Sequence, residues 1–229
     1  MKKTRARISD PVKRDLMAPL KAPHPWGTKR PSLEQNYYEA MDRPENDVVD
    51  LKTNPVREVQ EKGIVTADGQ LREFDLIALA TGFDAVTGGM KNMGLRDIHG
   101  VDLRDKWSDG TYSHIGMACA DFPNMFFRKS ALHSICERKI TNRSLPVVYG
   151  AQGPTAFSNG PSCVECQGDW IIDALAKMRK ENITFLNATR EAEEAWNQKV
   201  TELSDKTLFP ISDSWYMGAN IPGKKREQL

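Results

Sequence analysis

The stretch GIVTADGQLREFDLIALATGFD, residues 63–84, decides how this chain is read. Asp68-Gly69 stands between two short runs of strand-forming residues, and a D-G pair suits the left-handed backbone of a tight hairpin. A hairpin is therefore expected here. Directly after it, residues 74–80 (FDLIALA) are almost unbroken in apolar character, the pattern of a strand covered on both faces in an α/β sheet. The run ends in Thr81-Gly82, where a glycine turn lets the backbone come close to a flat or charged group.

Upstream, residues 1–27 are basic and carry Pro11, Pro19, Pro23 and Pro25, which predicts an irregular lead-in needing a partner surface to become ordered. Ser32 followed by Gln35, with Leu33, Tyr37 and Met41 on one face, predicts a capped helix. Downstream, Val164, Gly168, Ile171, Leu175 and Met178 recur at helical spacing across 162–180, with Asn182 as the stop. A second amphipathic helix is predicted over 192–203, around Trp196 and Val200. Both helices read as core packing.

Composition narrows the function. The 229 residues hold 39% hydrophobic residues, enough for a real core, and 32 Lys and Arg against 31 Asp and Glu leave a net charge of +1. No global field draws in nucleic acid or an anionic membrane. No apolar run is long enough to span a bilayer, and the basic start lacks the apolar centre of a secretory leader, so a cytoplasmic location is expected. The four cysteines show no disulfide framework. Cys163 and Cys166 form a C-x-x-C, but no second pair or spaced histidine completes a zinc site, so packing is the reading and no metal is expected.

The order of five further stretches carries more. TKRPSLEQNYYE (28–39), LIALATGFDAVTGG (76–89), DFPNMFF (121–127), GPTAFSNGPSCVECQGDW (153–170) and TLFPISDSWYMGANIPGK (207–224) together resemble the Baeyer-Villiger monooxygenases, flavin enzymes of the cyclohexanone monooxygenase type. The resemblance implies an FAD- and NADPH-dependent enzyme that inserts one oxygen atom of O2 into a small-molecule ketone to give an ester or lactone. It implies an α/β fold with two dinucleotide-binding domains, here incomplete, since no G-x-G-x-x-G precedes a helix anywhere in the chain. On that basis the chain is expected to be a C-terminal fragment that lacks the N-terminal FAD Rossmann half and the NADPH fingerprint. Residues 1–27 are then the lead-in, 28–80 the end of the NADPH-binding domain, and 81–229 the returning half of the FAD-binding domain.

The resemblance also assigns residues. Arg30 matches the family's active-site arginine, where a permanently charged guanidinium stabilises developing negative charge. Lys29 matches a residue that meets the NADPH ribose phosphate. Thr81 and Gly82 match a turn close to both cofactors, and Trp215 matches a tryptophan lining the nicotinamide and substrate region. Pro154, Asn159 and Gly160 match cofactor-binding positions, and Ala156 and Phe157 a substrate loop. The family usually has proline where Ala151 stands and often serine or alanine where Gly153 stands. A solvated basic pair remains the alternative reading of Lys29-Arg30, and a core tryptophan that of Trp215.

The family has about one residue between the strand at FPNMFF and the loop at YGAQGPTAFSN, whereas here RKSALHSICERKITNRSLPVV (128–148) intervenes, of which 128–147 read as the insertion. Those residues permit a translated intron: Arg-Lys-Ser can be encoded with the donor GTAAGT, Thr-Asn with the branch sequence CTAAC, and Val-Val with a terminal AG. A loop looped out into solvent is the rival. Two functional readings stay open, the monooxygenase of the family and a catalytically incompetent truncated fragment or pseudoenzyme, with complementation by a separate N-terminal portion as a third.

Overall fold

The computed structural model describes residues 2–127, 145–147, 150–153 and 159–229. The chain divides into two units, the first formed by residues 1–26 and 31–81, the second by residues 27–30 and 82–229. Residues 27–30, placed by the sequence at the head of a 28–80 segment, thus cluster with the later part of the chain.

In the first unit, α1 (Lys2–Arg5) and α2 (Pro11–Met17) occupy what the sequence predicted to be irregular. Local capping overrides the proline count: the Asp10 side chain accepts from Val12 N and Lys13 N, and Pro11 sits in the first turn, where its missing N–H costs nothing. The helix expected from Ser32 shortens to α3 (Tyr37–Met41), where Asn36 stands at the N-cap position without a side-chain cap bond and Glu34 Oε2 accepts from Tyr37 N instead, and Leu33 is fully exposed. An apolar stripe without a surface to cover it does not hold the extra turn.

The hairpin forms as the D-G pair requires. Strands β1 (Val56–Gln60), β2 (Gly63–Thr66) and β3 (Leu71–Glu73) make an antiparallel sheet in that order, with Gly63 opposite both Gln60 and Glu73. Gly69 turns at φ +82°, and a Cβ on Gly63 would lie 1.9 Å from Arg72 O, so β2 tolerates no side chain there. The expected two-faced buried strand at 74–80 does not form. After Phe74 N bonds Lys62 O, residues 75–81 make no backbone hydrogen bond to described residues, and Leu76 and Leu79 are 84% and 83% exposed. A strand in a parallel sheet needs at least one neighbour to bond, and among the described residues none pairs with 75–81.

The second unit contains α4 (Gly88–Lys91), α5 (Leu103–Lys106), the parallel pair β4 (Met125–Phe127) and β5 (Leu145–Val147), α6 (Gly160–Lys180), α7 (Arg190–Asp205) and a 3-10 turn, Trp215–Met217. Both long helices appear where periodicity placed them. Val164, Gly168 and Met178 are the buried stripe of α6, which ends before Asn182 enters the left-handed region at φ 55°. The main core gathers Met90, Leu103, Trp107, Cys119, Phe122, Met125, Phe127 and Ala151. A smaller cluster joins Phe209, Tyr216 and Met217. Among the described residues no helix is long and apolar enough to cross a membrane. Most of 128–147, and with it the splice or loop reading, lies outside the described residues; within it, 145–147 pair in parallel with β4.

Candidate functional site

Of the sequence-assigned residues, Thr28 to Arg30 show the sharpest contrast. Thr28 is buried, Lys29 half-buried and Arg30 exposed. Neither Lys29 nor Arg30 is hydrogen-bonded or ion-paired to a described residue. Two adjacent cations therefore stand without a counter-ion among the described residues, on a segment that packs with residues 82–229.

Asn159 caps α6: its side-chain oxygen accepts from Ser162 N at 3.4 Å, and Gly160 is the first helical residue. The sequence started this helix at Ser162; the structure draws the Asn-Gly-Pro loop into its first turn, because Pro161 supplies helical φ without needing a hydrogen bond. The positive end of a 21-residue helix thus stands at the assigned loop. Pro154, Ala156 and Phe157 lie outside the described residues. Gly82 adopts φ +91°, which only glycine takes freely, and Thr81 and Gly82 are both exposed.

Trp215 is half-buried, with its ring stacked on Tyr216 at 3.8 Å and 28°. Ser214 caps the short turn by accepting from Tyr216 N, and Gly218 ends it at φ 68°. Tyr216 itself meets Phe209 edge-on, so Trp215 is held against the smaller core cluster.

Sequence reasoning missed two polar centres. The first is Lys224, whose Nζ donates to Asp84 Oδ1 at 2.6 Å, Thr87 Oγ1 at 2.8 Å and Ala85 O at 3.5 Å. Asn220 Nδ2 adds a bond to Phe83 O at 2.8 Å. These contacts join the two stretches 76–89 and 207–224 around a cleft of about 280 Å³ lined by Lys91, Trp107, Gly223 and Glu227 among others. In it Lys91 donates to Trp107 O, and burial, reinforced by the nearby Lys224 charge, lowers its ammonium below the usual lysine range. Both Asp84 and Lys224 stood in quoted motifs; only their distance in sequence hid the pairing.

The second centre is Gln152, buried and at φ 63°. Its Nε2 donates to Thr111 O at 2.9 Å and Asn197 Oδ1 at 2.8 Å, while its Oε1 accepts from Ser113 N at 3.2 Å. Trp196 Nε1 donates to its backbone oxygen at 3.3 Å. Beneath it Gly116 and Gly150 approach so closely that a Cβ on Gly150 would sit 1.7 Å from Gly116 O. The segment leading to 154–158 is thereby fixed from three sides.

Elsewhere, buried Glu193 accepts from Ala120 N at 2.6 Å and pairs with Lys106 at 3.2 Å. Cys119, beside them, is pushed well up by burial, and Cys163 and Cys166 are free thiols, half-buried and exposed respectively. Among the described residues no cluster of metal ligands occurs.

No protein-family profile matches the chain. It is 45% identical over 227 residues to cyclopentanone 1,2-monooxygenase of Comamonas sp. (strain NCIMB 9872), covering 99% of this chain and 38% of that protein. It is 36% identical over 221 residues to the Baeyer-Villiger monooxygenase of Pseudooceanicola batsensis, covering 96% of this chain and 36% of that one. The crystal structure of OTEMO in complex with FAD and NADP aligns with all of this chain and 38% of its own, at a TM-score of 0.81 and 30% identity. The chain therefore spans well under half the length of the relatives it matches.

Proposed function

We propose, on the premise that this chain is homologous to Baeyer-Villiger monooxygenases over nearly its whole length, that it supplies the arginine-bearing side of a ketone-oxygenating site that uses FAD and NADPH. The reaction is insertion of one oxygen atom of O2 into a ketone, giving an ester or lactone. A relative named for cyclopentanone and a neighbour holding FAD and NADP support the substrate class and cofactors. The observation that carries the reading within this chain is the Lys29-Arg30 pair, two cations with no counter-ion among the described residues.

The residues fit these groups in part. The N-terminus of α6, capped by Asn159, offers positive partial charge to an electron-rich ring edge, and Lys29 offers a mobile ammonium to a ribose phosphate. Gly82 lets backbone approach without a Cβ. Trp215 presents an indole edge from a fixed core. The glycine loops that cradle a dinucleotide diphosphate are not in the sequence. When bound, FAD would activate oxygen and NADPH would supply the hydride. Arg30 would act on the substrate: its guanidinium would stabilise negative charge on the carbonyl oxygen as the carbonyl carbon becomes tetrahedral.

A second reading rests on residues 75–81, mostly apolar, exposed, and without backbone partners among the described residues. On it the chain by itself is catalytically silent, and the site forms only with the sheet that the remaining part of the relatives provides. One experiment separates the two. Lactone formation from cyclopentanone is measured with FAD, NADPH and O2, for the chain alone and co-expressed with a polypeptide equivalent to the uncovered part of the Comamonas relative. Activity alone supports the first reading, activity only on co-expression the second. In whichever arm is active, Arg30→Ala should lower the rate by about 10²-fold or more. Being exposed, it should shift stability by no more than about 0.5 kcal/mol. An unchanged rate removes Arg30 from the site; no flavin bound in either arm rejects the cofactor assignment.

A further inference from the structure

We propose that Lys224 is a positioning residue, a latch that holds loop 82–88 in a strained conformation and couples it to the segment carrying Trp215. The loop's backbone is unusual. Val86 sits at φ 65°, and Thr87 N bonds Ala85 O at 2.8 Å across it, a tight three-residue turn of the hand that side chains disfavour. A β-branched residue is a poor choice there, since glycine would adopt the same turn freely. Gly88 follows where a Cβ would stand 2.4 Å from Asp84 Cβ, so the loop also folds tightly on itself.

Strain of this kind persists only where the surroundings fix it from several directions. Lys224 provides that. Its side chain is 11% exposed, and its ammonium takes acceptors from the carboxylate of Asp84, the carbonyl of Ala85 and the hydroxyl of Thr87, which lie on both sides of Val86. One cation thus spans the strained turn. On its other side Lys224 N bonds Ile221 O, and Gly218, whose Cβ would touch Lys224 Cδ at 3.3 Å, closes the turn that begins at Trp215. Asn220 ties the same segment to Phe83 O. A movement of Trp215's segment and one of loop 82–88 therefore break the same bonds.

Consequently the two segments open together or not at all. Resting on the reading of Gly82 and Trp215 as cofactor-facing, the latch makes nucleotide bound at one segment rigidify the other.

Hydrogen exchange on the full 229-residue chain tests it. Lys224→Met, which keeps the stem and removes the charge, should raise exchange of amides in 82–91 and 215–222 together by about tenfold or more, the factor that loss of one charge-assisted bond gives. The hairpin 56–73 and α7 should stay at wild-type rates. Asp84→Asn should act the same way, and the double variant should be no worse than the stronger single one, because both remove one shared contact. Thr87→Val, which keeps the shape and deletes one acceptor, should give a smaller rise in the same two segments. Change confined to 222–226, or a rise in one segment without the other, overturns the latch. If Lys224→Met unfolds the chain, Thr87→Val decides by the same criterion. NADP+ is the probe for the second arm: it should protect 82–91 in the wild type, less in Thr87→Val and least in Lys224→Met. A wild-type chain that shows no NADP+ protection rejects nucleotide binding by the chain alone, while the exchange comparison still judges the latch.

Discussion

Gln152 gives the most quantitative test of how the loop before 154–158 is held. Its amide makes bonds to Thr111 O, Asn197 Oδ1 and Ser113 N, and the Ser113 hydroxyl adds a longer one at 3.3 Å. Thr111 and Ser113 are buried, so Gln152→Ala leaves a buried carbonyl and a buried N–H without their partner, while half-buried Asn197 is re-solvated. Each net bond is worth about 1 kcal/mol, and the orphaned pair raises the total to roughly 3 kcal/mol. In a domain of this size that corresponds to a fall of about 6–12 °C in Tm. Gln152→Gly loses the same bonds but removes the Cβ from a residue at φ 63°. Relief of the left-handed penalty, about 1–2 kcal/mol, exceeds the roughly 0.4–1 kcal/mol that glycine adds to unfolded-state freedom. Gln152→Gly should therefore be the more stable of the two by about 0.5–1 kcal/mol, while both stay below the wild type. Urea unfolding followed by circular dichroism measures all three. A Gln152→Ala protein as stable as the wild type, or a glycine variant less stable than the alanine one, refutes the reasoning.

Two further outcomes are expected. Asp42 accepts from the hydroxyl and N–H of Ser9 and from Asp10 N, with the Ser9 hydroxyl the largest influence, and these bonds hold its carboxyl below the usual range. Because the folded value is the lower one, this tie is fully present above the unfolded carboxylate value near about 4 and is lost as pH falls through the folded value. Protection of the Ser9 and Asp10 amides relative to their intrinsic exchange should accordingly fall on acidification below about pH 4, and Asp42→Asn should abolish that fall; a protection profile identical in wild type and variant contradicts the assignment. For the 128–147 segment, we propose that it is absent from the working protein. A variant joining Phe127 to Val148 should melt at or above the temperature of the full chain, and transcripts should contain a shorter spliced form. A lower melt together with only the long transcript would make the segment a genuine part of the fold.

What was legible in the sequence was local. The D-G hairpin, α6 and α7 depend on residues within a few positions of one another, and each stands within two residues of its expected place. Residues 74–80 were misread because apolarity records what a strand would be covered by, not whether the cover is present: the same FDLIALA would be buried between parallel neighbours and is exposed without them. Ser32 failed as a cap for the related reason that a stripe ending in exposed Leu33 had nothing to pack on. The lead-in was misread in the opposite direction, since one well-placed aspartate at position 10 outweighed several prolines. Lys224, Asp84 and Gln152 were invisible as a set, because their partners are 39 to 140 residues away and no periodicity marks them.

The saturation of polar groups separates supporting residues from candidate reacting ones. Lys224 has three acceptors, Lys106 has Glu193 and Ala120 O, and Gln152 uses both ends of its amide. Each is spent on holding the protein itself, and loss of any of them leaves a buried group unmatched. Lys29 and Arg30 are the opposite: they touch no counter-ion among the described residues, yet follow a threonine that is 2% exposed, so their backbone is anchored while their charges are not committed. A solvated pair on a mobile loop would need no such anchor. An anchored, uncommitted guanidinium loses less freedom when a negatively charged group arrives, which is the property a charge-stabilising site requires and a merely soluble surface does not.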